Sequence, residues 1–146
     1  MTTIKKSALV PYSAHDMFSL VSDIESYPDF LPWCGGARIL SQNEQEVVAA
    51  IDIAHSGLKK TFTTSNRIQK DKVMEMRLVE GPFKKLHGYW LFESLSEDAS
   101  KITLDLEFAF ASPLIKIALG PVFETIATEL VDRFRQRADA IYGARV

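Results

Sequence analysis

Near the end of the chain, Ile102, Leu104, Leu106, Phe108 and Phe110 alternate with Lys101, Thr103, Asp105 and Glu107. Successive strand side chains point to opposite faces, so this is a strand with one dry and one wet face. Such strands belong to antiparallel sheets with one face on a core. Met74, Met76 and Leu78 alternate in the same way with Val73, Glu75, Arg77 and Val79. Leu86, Gly88, Trp90 and Phe92 share one phase; His87, Tyr89, Leu91 and Glu93 share the other. Glu46–His55 and Lys59–Gln69 read as strands around Ser56-Gly57, Ala37–Ser41 as a short strand, and Thr3–Val10 as the first. Turn residues separate them at Asn43, Lys70-Asp71-Lys72, Gly81-Pro82 and Glu97-Asp98. The pattern predicts six to seven strands whose apolar face needs a cover.

The cover is the C-terminal segment. Phe123, Ile126, Ala127, Leu130, Phe134, Ala138 and Ile141 recur at helical spacing, with Ser112 as N-cap and Pro113 at the first helical position. Arg133, Arg135 and Arg137 load the later turns and Arg145 the tail, where they favour the helix dipole. Gly120-Pro121 predicts a kink or break about two turns in. The run Leu114, Ile115, Ile117, Ala118 and Leu119 is apolar nearly all round, which a surface helix is not. It is expected to pack under the Tyr27–Trp33 segment; the alternatives are a mobile gate over a cavity mouth or a lipid-touching surface. A first helix starts at Ser13, with Asp16 completing a variant capping box and Tyr12 and Met17 as a staple. Met17, Leu20, Val21 and Ile24 form its apolar face, and it stops near Ser22 or Asp23.

The 146 residues make one α+β domain, residues 1–146, long enough to bury a core without disulfides. The single cysteine, Cys34, excludes an internal disulfide and a cysteine-based zinc site, and no basic neighbour in sequence activates it. A net charge of −2 gives no global attraction to nucleic acid. Neither a secretory signal nor an apolar run of membrane-spanning length is expected. His15, His55 and His87 are isolated and read as exposed or locally bonded residues, so no metal site is expected. There is no nucleophile elbow and no phosphate-cradling glycine loop.

Tyr27-Pro28-Asp29-Phe30-Leu31-Pro32-Trp33-Cys34 is the other unusual stretch. Two prolines exclude a regular helix or strand and leave a tight apolar segment with one short helical turn around Pro28–Leu31. This segment, with Val10-Pro11-Tyr12-Ser13-Ala14 and Asp23 before it, resembles the start of the coenzyme-Q-binding START-domain family. That family includes bacterial ribosome association toxins and lies within the polyketide cyclase/START-like superfamily. Leu86-His87-Gly88-Tyr89-Trp90-Leu91-Phe92 and Leu119-Gly120-Pro121-Val122-Phe123 extend the resemblance over nearly the whole chain. It implies a helix-grip fold, with a curved antiparallel sheet around a long C-terminal helix and two short helices after the first strand.

The apolar strand face gives the candidate site: Trp33, Met74, Met76, Leu78, Trp90, Phe92, Leu106, Phe108, Phe110, Leu119, Val122, Phe123 and Ile126. These residues serve equally as a filled core or as the wall of a ligand cavity. The resemblance implies a non-enzymatic protein that binds ubiquinone or a similar isoprenoid quinone and supports respiratory electron transport, with no cofactor required. With neither a secretory signal nor a membrane-spanning run expected, the expected location is cytoplasmic, with peripheral contact at the inner membrane face as the alternative. Two alternatives also come from the resemblance: a factor that binds the large ribosomal subunit and blocks subunit association, and a small-molecule cyclase or dehydratase. The ribosomal alternative needs a basic surface, for which Lys59, Lys60, Arg67, Lys70, Lys72, Lys84 and Lys85 are the candidates. Charges on the wet face of a sheet are also ordinary. DNA is not an expected partner.

Overall fold

The computed structural model describes residues 2–143; Arg145 lies outside them. The elements run β1 (Thr2–Val10), α1 (Ala14–Ser22), a 3-10 helix (Ile24–Asp29), β2 (Cys34–Gln42), β3 (Glu46–His55), β4 (Leu58–Gln69), β5 (Val73–Glu80), β6 (Phe83–Ser96), β7 (Ala99–Phe110) and α2 (Pro113–Tyr142). The strands form one seven-stranded antiparallel sheet in the order β1-β7-β6-β5-β4-β3-β2. Strands β2 to β7 are a meander, and the two short helices carry the chain from β1 at one edge to β2 at the other.

The caps explain where the helices start. Ser13 Oγ accepts the Asp16 amide at 3.0 Å and Ser112 Oγ accepts the Ile115 amide at 3.2 Å, each satisfying a donor that has no partner within the helix. The short helical turn falls earlier than the prolines imply: it spans Ile24–Asp29 with Pro28 inside, and Ile24 belongs to it and not to α1. Strand β2 is longer than Ala37–Ser41 because Gly35 and Gly36 already belong to it. A Cβ at Gly36 would stand 2.7 Å from Asp52 Oδ2, so a side chain there would push the Asp52 carboxylate aside. Gly88 marks a second close approach, where a Cβ would lie 2.1 Å from the Asp105 carbonyl oxygen on β7.

Helix α2 bears on three expectations. It runs for 30 residues through Gly120-Pro121, so of the expected kink or break the break does not occur. Pro121 removes one backbone donor, but the burial of Leu119, Gly120 and Phe123 on either side holds the helix to the core across the defect. Arg133, Arg135 and Arg137 lie before the final turn, which carries no basic residue, so they fall short of the dipole's reach. They stand 3.8–4.0 Å from Glu129, Asp132 and Asp29. The apolar run does not pack under Tyr27–Trp33. Leu119 is buried, while Leu114 and Ile117 are each 76% exposed. The Tyr27–Trp33 segment packs further along the helix, with Tyr27 and Phe30 edge-on to Phe134 and Arg137 over the Phe30 ring at 4.9 Å.

The core lies between the inner sheet face, α1 and α2. Trp90 and Phe92 are both 3% exposed and on the inner face, as the alternation requires. Burying each such aromatic contributes about 1.5–3 kcal/mol. The C-terminal half of α2 is fastened to the start of the chain. Tyr12 Oη donates to Asp139 Oδ1 at 2.6 Å, and Tyr142 Oη donates to the Asp16 carbonyl at 3.2 Å.

Candidate functional site: an apolar cavity between sheet and helix

Helix α2 lies closest to β1, β7 and α1, at one side of the curved sheet. Across the rest of the inner face a cavity of 80 Å³ remains. Of the residues read from sequence, Trp33, Met74, Met76, Trp90, Leu106, Phe123 and Ile126 line it. The others do not. Phe92 packs edge-on to Phe18 of α1. Phe108 and Phe110 pack on Phe123, with Phe110 stacked on Phe83, and Leu119 is fully buried. Leu78 packs against the core outside the lining, and Val122 faces a separate outer cleft. Alternation identifies the inner face of a strand but not which inward residues fall where the helix has lifted away.

Several lining residues were not among the candidate site residues: Ile24, Tyr27, Ile51, Phe62, Thr64, Asn66, Leu86, Leu104, Ala127, Leu130 and Phe134. Thr64 and Asn66 are the informative ones. They follow Phe62 at a spacing of two on β4, so an inward polar pair was readable in the strand. Asn66 pairs in register with Val47 and Met76, both apolar. Its Nδ2 donates to the Val47 carbonyl at 3.0 Å and to Thr64 Oγ1 at 3.1 Å.

An outer cleft of 380 Å³ lies against this cavity. Pro32, Trp33, His55, Pro121, Val122, Thr125, Ile126, Glu129 and Arg133 line it. Trp33 and Ile126 belong to both linings, so they are the wall between cleft and cavity.

The ionisable groups nearby are occupied. Tyr27 Oη donates to the Val21 carbonyl, and burial foremost, then the nearby Cys34 and Asp23, holds its pKa well above the ordinary value. Burial also pushes the Cys34 thiol up, which disfavours the thiolate, and its Sγ lies 3.3 Å from the Gly36 carbonyl. No cluster of potential metal ligands is found among the described residues. The histidines stay outside the cavity lining: His15 Nδ1 is 2.8 Å from Asp71, His55 ends β3 beside the cleft, and His87 Nε2 is 3.7 Å from Glu107.

The basic residues are all exposed, but they do not form one surface. Lys59 and Lys60 start β4, whereas Arg67 and Lys70 lie at its far end, on the order of 30 Å away along the strand. Lys72 stands with Lys70 at the β4–β5 turn. Lys84 and Lys85 start β6, toward the same end of the sheet as Lys59 and Lys60, and Lys85 Nζ is 3.4 Å from Glu107. Arg67 sits between Glu46 and Glu75 in register, which breaks the positive stretch.

Residues 10–135 match the family model described as polyketide cyclase / dehydrase and lipid transport. The chain belongs to this START-like family. Among curated relatives, the persistence and stress-resistance toxin PasT of Escherichia coli O6:H1 is 47% identical, and the ribosome association toxin RatA of Escherichia coli K12 is 46% identical. Each alignment covers 99% of this chain and 92% of the relative. The mitochondrial coenzyme Q-binding protein coq10 of Schizosaccharomyces pombe is 26% identical over 92% of this chain and 85% of its own. The Zhui aromatase/cyclase of Streptomyces sp. R1128 superposes with a TM-score of 0.83 at 16% identity, covering 94% of this chain and 93% of that one. That likeness fixes the helix-grip fold. The family description thus spans cyclases, dehydrases and lipid transport, and the relatives carry the names of toxins and of a coenzyme Q-binding protein.

Proposed function

We propose that this START-like protein binds a hydrophobic small molecule of the isoprenoid-quinone class in the cavity between sheet and helix, without converting it. It would support respiratory electron transport by holding or presenting the quinone. The observation that carries this reading is the cavity itself, walled by Met74, Met76, Trp90, Leu104, Leu106 and Phe123 on the inner face and helix. Apolar walls with few polar groups suit an apolar ligand, and methionines adapt to its shape. The described lining contains no carboxylate, histidine or lysine, which favours binding over acid-base chemistry.

The ligand does not fit the resting shape. A cavity of about 150 Å³ is what accommodates benzene, and this one is 80 Å³. Loading therefore requires the wall at Trp33 and Ile126 to open and join the 380 Å³ cleft. Quinones with isoprenoid tails partition into membranes, so loading would bring a cytoplasmic protein to the inner membrane face. Leu114 and Ile117, exposed beside Lys116, suit that contact. Mass spectrometry of an organic extract of the purified protein tests the reading: a stoichiometric quinone supports it, and a protein that neither carries nor takes up quinone rejects it.

A second reading is ribosome association. It is favoured by the relatives, since proteins named ribosome association toxin align at 46% identity against 26% for the coenzyme Q-binding relative. Its surface would be the end of the molecule holding Lys59, Lys60, Lys84 and Lys85, and not the full basic set. The interior site and this outer surface do not exclude each other.

A further inference from the structure

We propose that Thr64 and Asn66 are the polar anchor of the cavity, and that its ligand carries a hydrogen-bonding oxygen on an otherwise apolar skeleton. The proposal rests on the cavity being a ligand site and adds which atoms select the ligand. Thr64 is 5% exposed and Asn66 3%, and both line the cavity. An amide offers two donor hydrogens and an acceptor oxygen. The hydrogens on Asn66 Nδ2 are used, on the Val47 carbonyl at 3.0 Å and on Thr64 Oγ1 at 3.1 Å. The oxygen is not. Its protein partner is the Thr64 hydroxyl at 3.5 Å, the outer limit of a hydrogen bond.

The Thr64 hydroxyl is in the matching position. It accepts from Asn66 Nδ2, so its own proton has only the distant oxygen of the same amide to reach. A hydroxyl proton and an amide oxygen therefore stand side by side against the apolar cavity, each poorly paired. Buried polar groups in folded proteins are paired with few exceptions, and an unpaired one is costly. Their register partners Val47, Met76, Ala49 and Leu78 have apolar side chains and offer no side-chain partner. A ligand oxygen supplies the missing one. A carbonyl oxygen takes the Thr64 proton. A ligand hydroxyl gives its proton to Asn66 Oδ1. The pair can thus hold either a quinone or its reduced quinol by the same head group, with no group of the protein changing charge.

The test uses two probes on the full-length protein: decylubiquinone, and decylbenzene, which keeps the chain and ring but lacks the oxygens. The readout is the ratio of their dissociation constants, because a merely structural role for β4 would move both together. Thr64→Val is nearly isosteric and leaves the Asn66–Val47 bond in place. It should reduce the preference for decylubiquinone by about tenfold, one lost hydrogen bond, while the decylbenzene constant stays within about twofold. Asn66→Leu should reduce the same ratio when the first probe is reduced to its quinol, whose hydroxyl gives its proton to Asn66 Oδ1, and Thr64→Ser, which keeps the hydroxyl, should keep the unaltered protein's preference for the quinone. If the quinone ratio is unchanged in Thr64→Val and the quinol ratio is unchanged in Asn66→Leu, the anchor is wrong although the cavity binds. If neither probe binds the unaltered protein, the cavity reading itself fails and the anchor with it.

Discussion

Asp52 stands on β3 between Ile51, which lines the cavity, and the fully buried Ile53. In the fold it accepts from Thr61 Oγ1 at 2.6 Å and from Arg38 at 3.1 Å. The Thr61 hydrogen bond foremost, and Arg38 with it, lowers its pKa against a smaller opposing effect of burial. A carboxylate with a lowered folded pKa stabilises the fold above its unfolded value, and that contribution is lost as pH falls through the folded value. Asp52→Asn should therefore lower the melting temperature at pH 7, and the difference should shrink below about pH 4, where unfolded aspartate protonates. Thermal melts across this range check it; a gap that persists in acid would mean that the carboxylate charge is not what matters. Trp33 is the residue-scale case for function. Trp33→Ala removes part of the wall between cavity and cleft, so quinone should associate and dissociate faster, as stopped-flow fluorescence of Trp90 would record.

At the scale of elements, α2 is one helix with two unlike halves. Its C-terminal half is pinned through Tyr12–Asp139, Tyr142–Asp16 and the ring contacts of Phe134 with Trp90, Tyr27 and Phe30. Its first two turns expose Leu114 and Ile117 and end at a proline that supplies no donor to the turn before it. Amide hydrogen exchange should accordingly be faster in residues 114–120 than in 126–138; equal protection across both would contradict a loosely held first half. Phe134→Ala should cost about 3–5 kcal/mol in denaturant unfolding, as a buried aromatic truncation does. The strands were legible because period two is a strong signal, and so were both caps, since Ser13 and Ser112 precede apolar periodic runs. The fate of Leu114–Leu119 was not legible. An apolar run states that burial is favourable but not what covers it, and the Tyr27–Trp33 segment had found Phe134 and Arg137 instead. The longer β2 was missed because two glycines look like a turn, whereas here they permit close strand pairing.

At the scale of the whole molecule, the sheet, its long helix and the START-like resemblance could all be read from the chain. The cavity could not. Whether an apolar face is filled depends on how far the sheet curves from the helix, a distance that no residue pattern encodes. Thr64 and Asn66 show the same gap: their inward phase was visible, but their poor mutual pairing required coordinates. The ribosomal reading belongs to this scale too, because it concerns a surface assembled from separate hairpins. If Lys59, Lys60, Lys84 and Lys85 dock on RNA, co-sedimentation with large ribosomal subunits should fall steeply with added salt, since each phosphate contact releases counterions. Changing those four to Gln should abolish it, while Lys70 and Lys72, at the opposite end, should be dispensable.

Quinone binding to the interior is the central claim, and the chain carries its own reporter. Trp33 and Trp90 are its two tryptophans, and both line the cavity. Replacing Trp33 with Phe leaves Trp90 as the sole tryptophan, buried among Met74, Leu104 and Phe134 and excited apart from the tyrosines at long wavelength. Titrating this variant with decylubiquinone should quench the Trp90 emission to a plateau at one quinone per chain. Moderate salt should not shift the midpoint, because apolar burial is not weakened by it. Quenching that rises linearly without saturating, or a Trp90 emission that quinone leaves unchanged, would contradict a quinone seated between the sheet and α2.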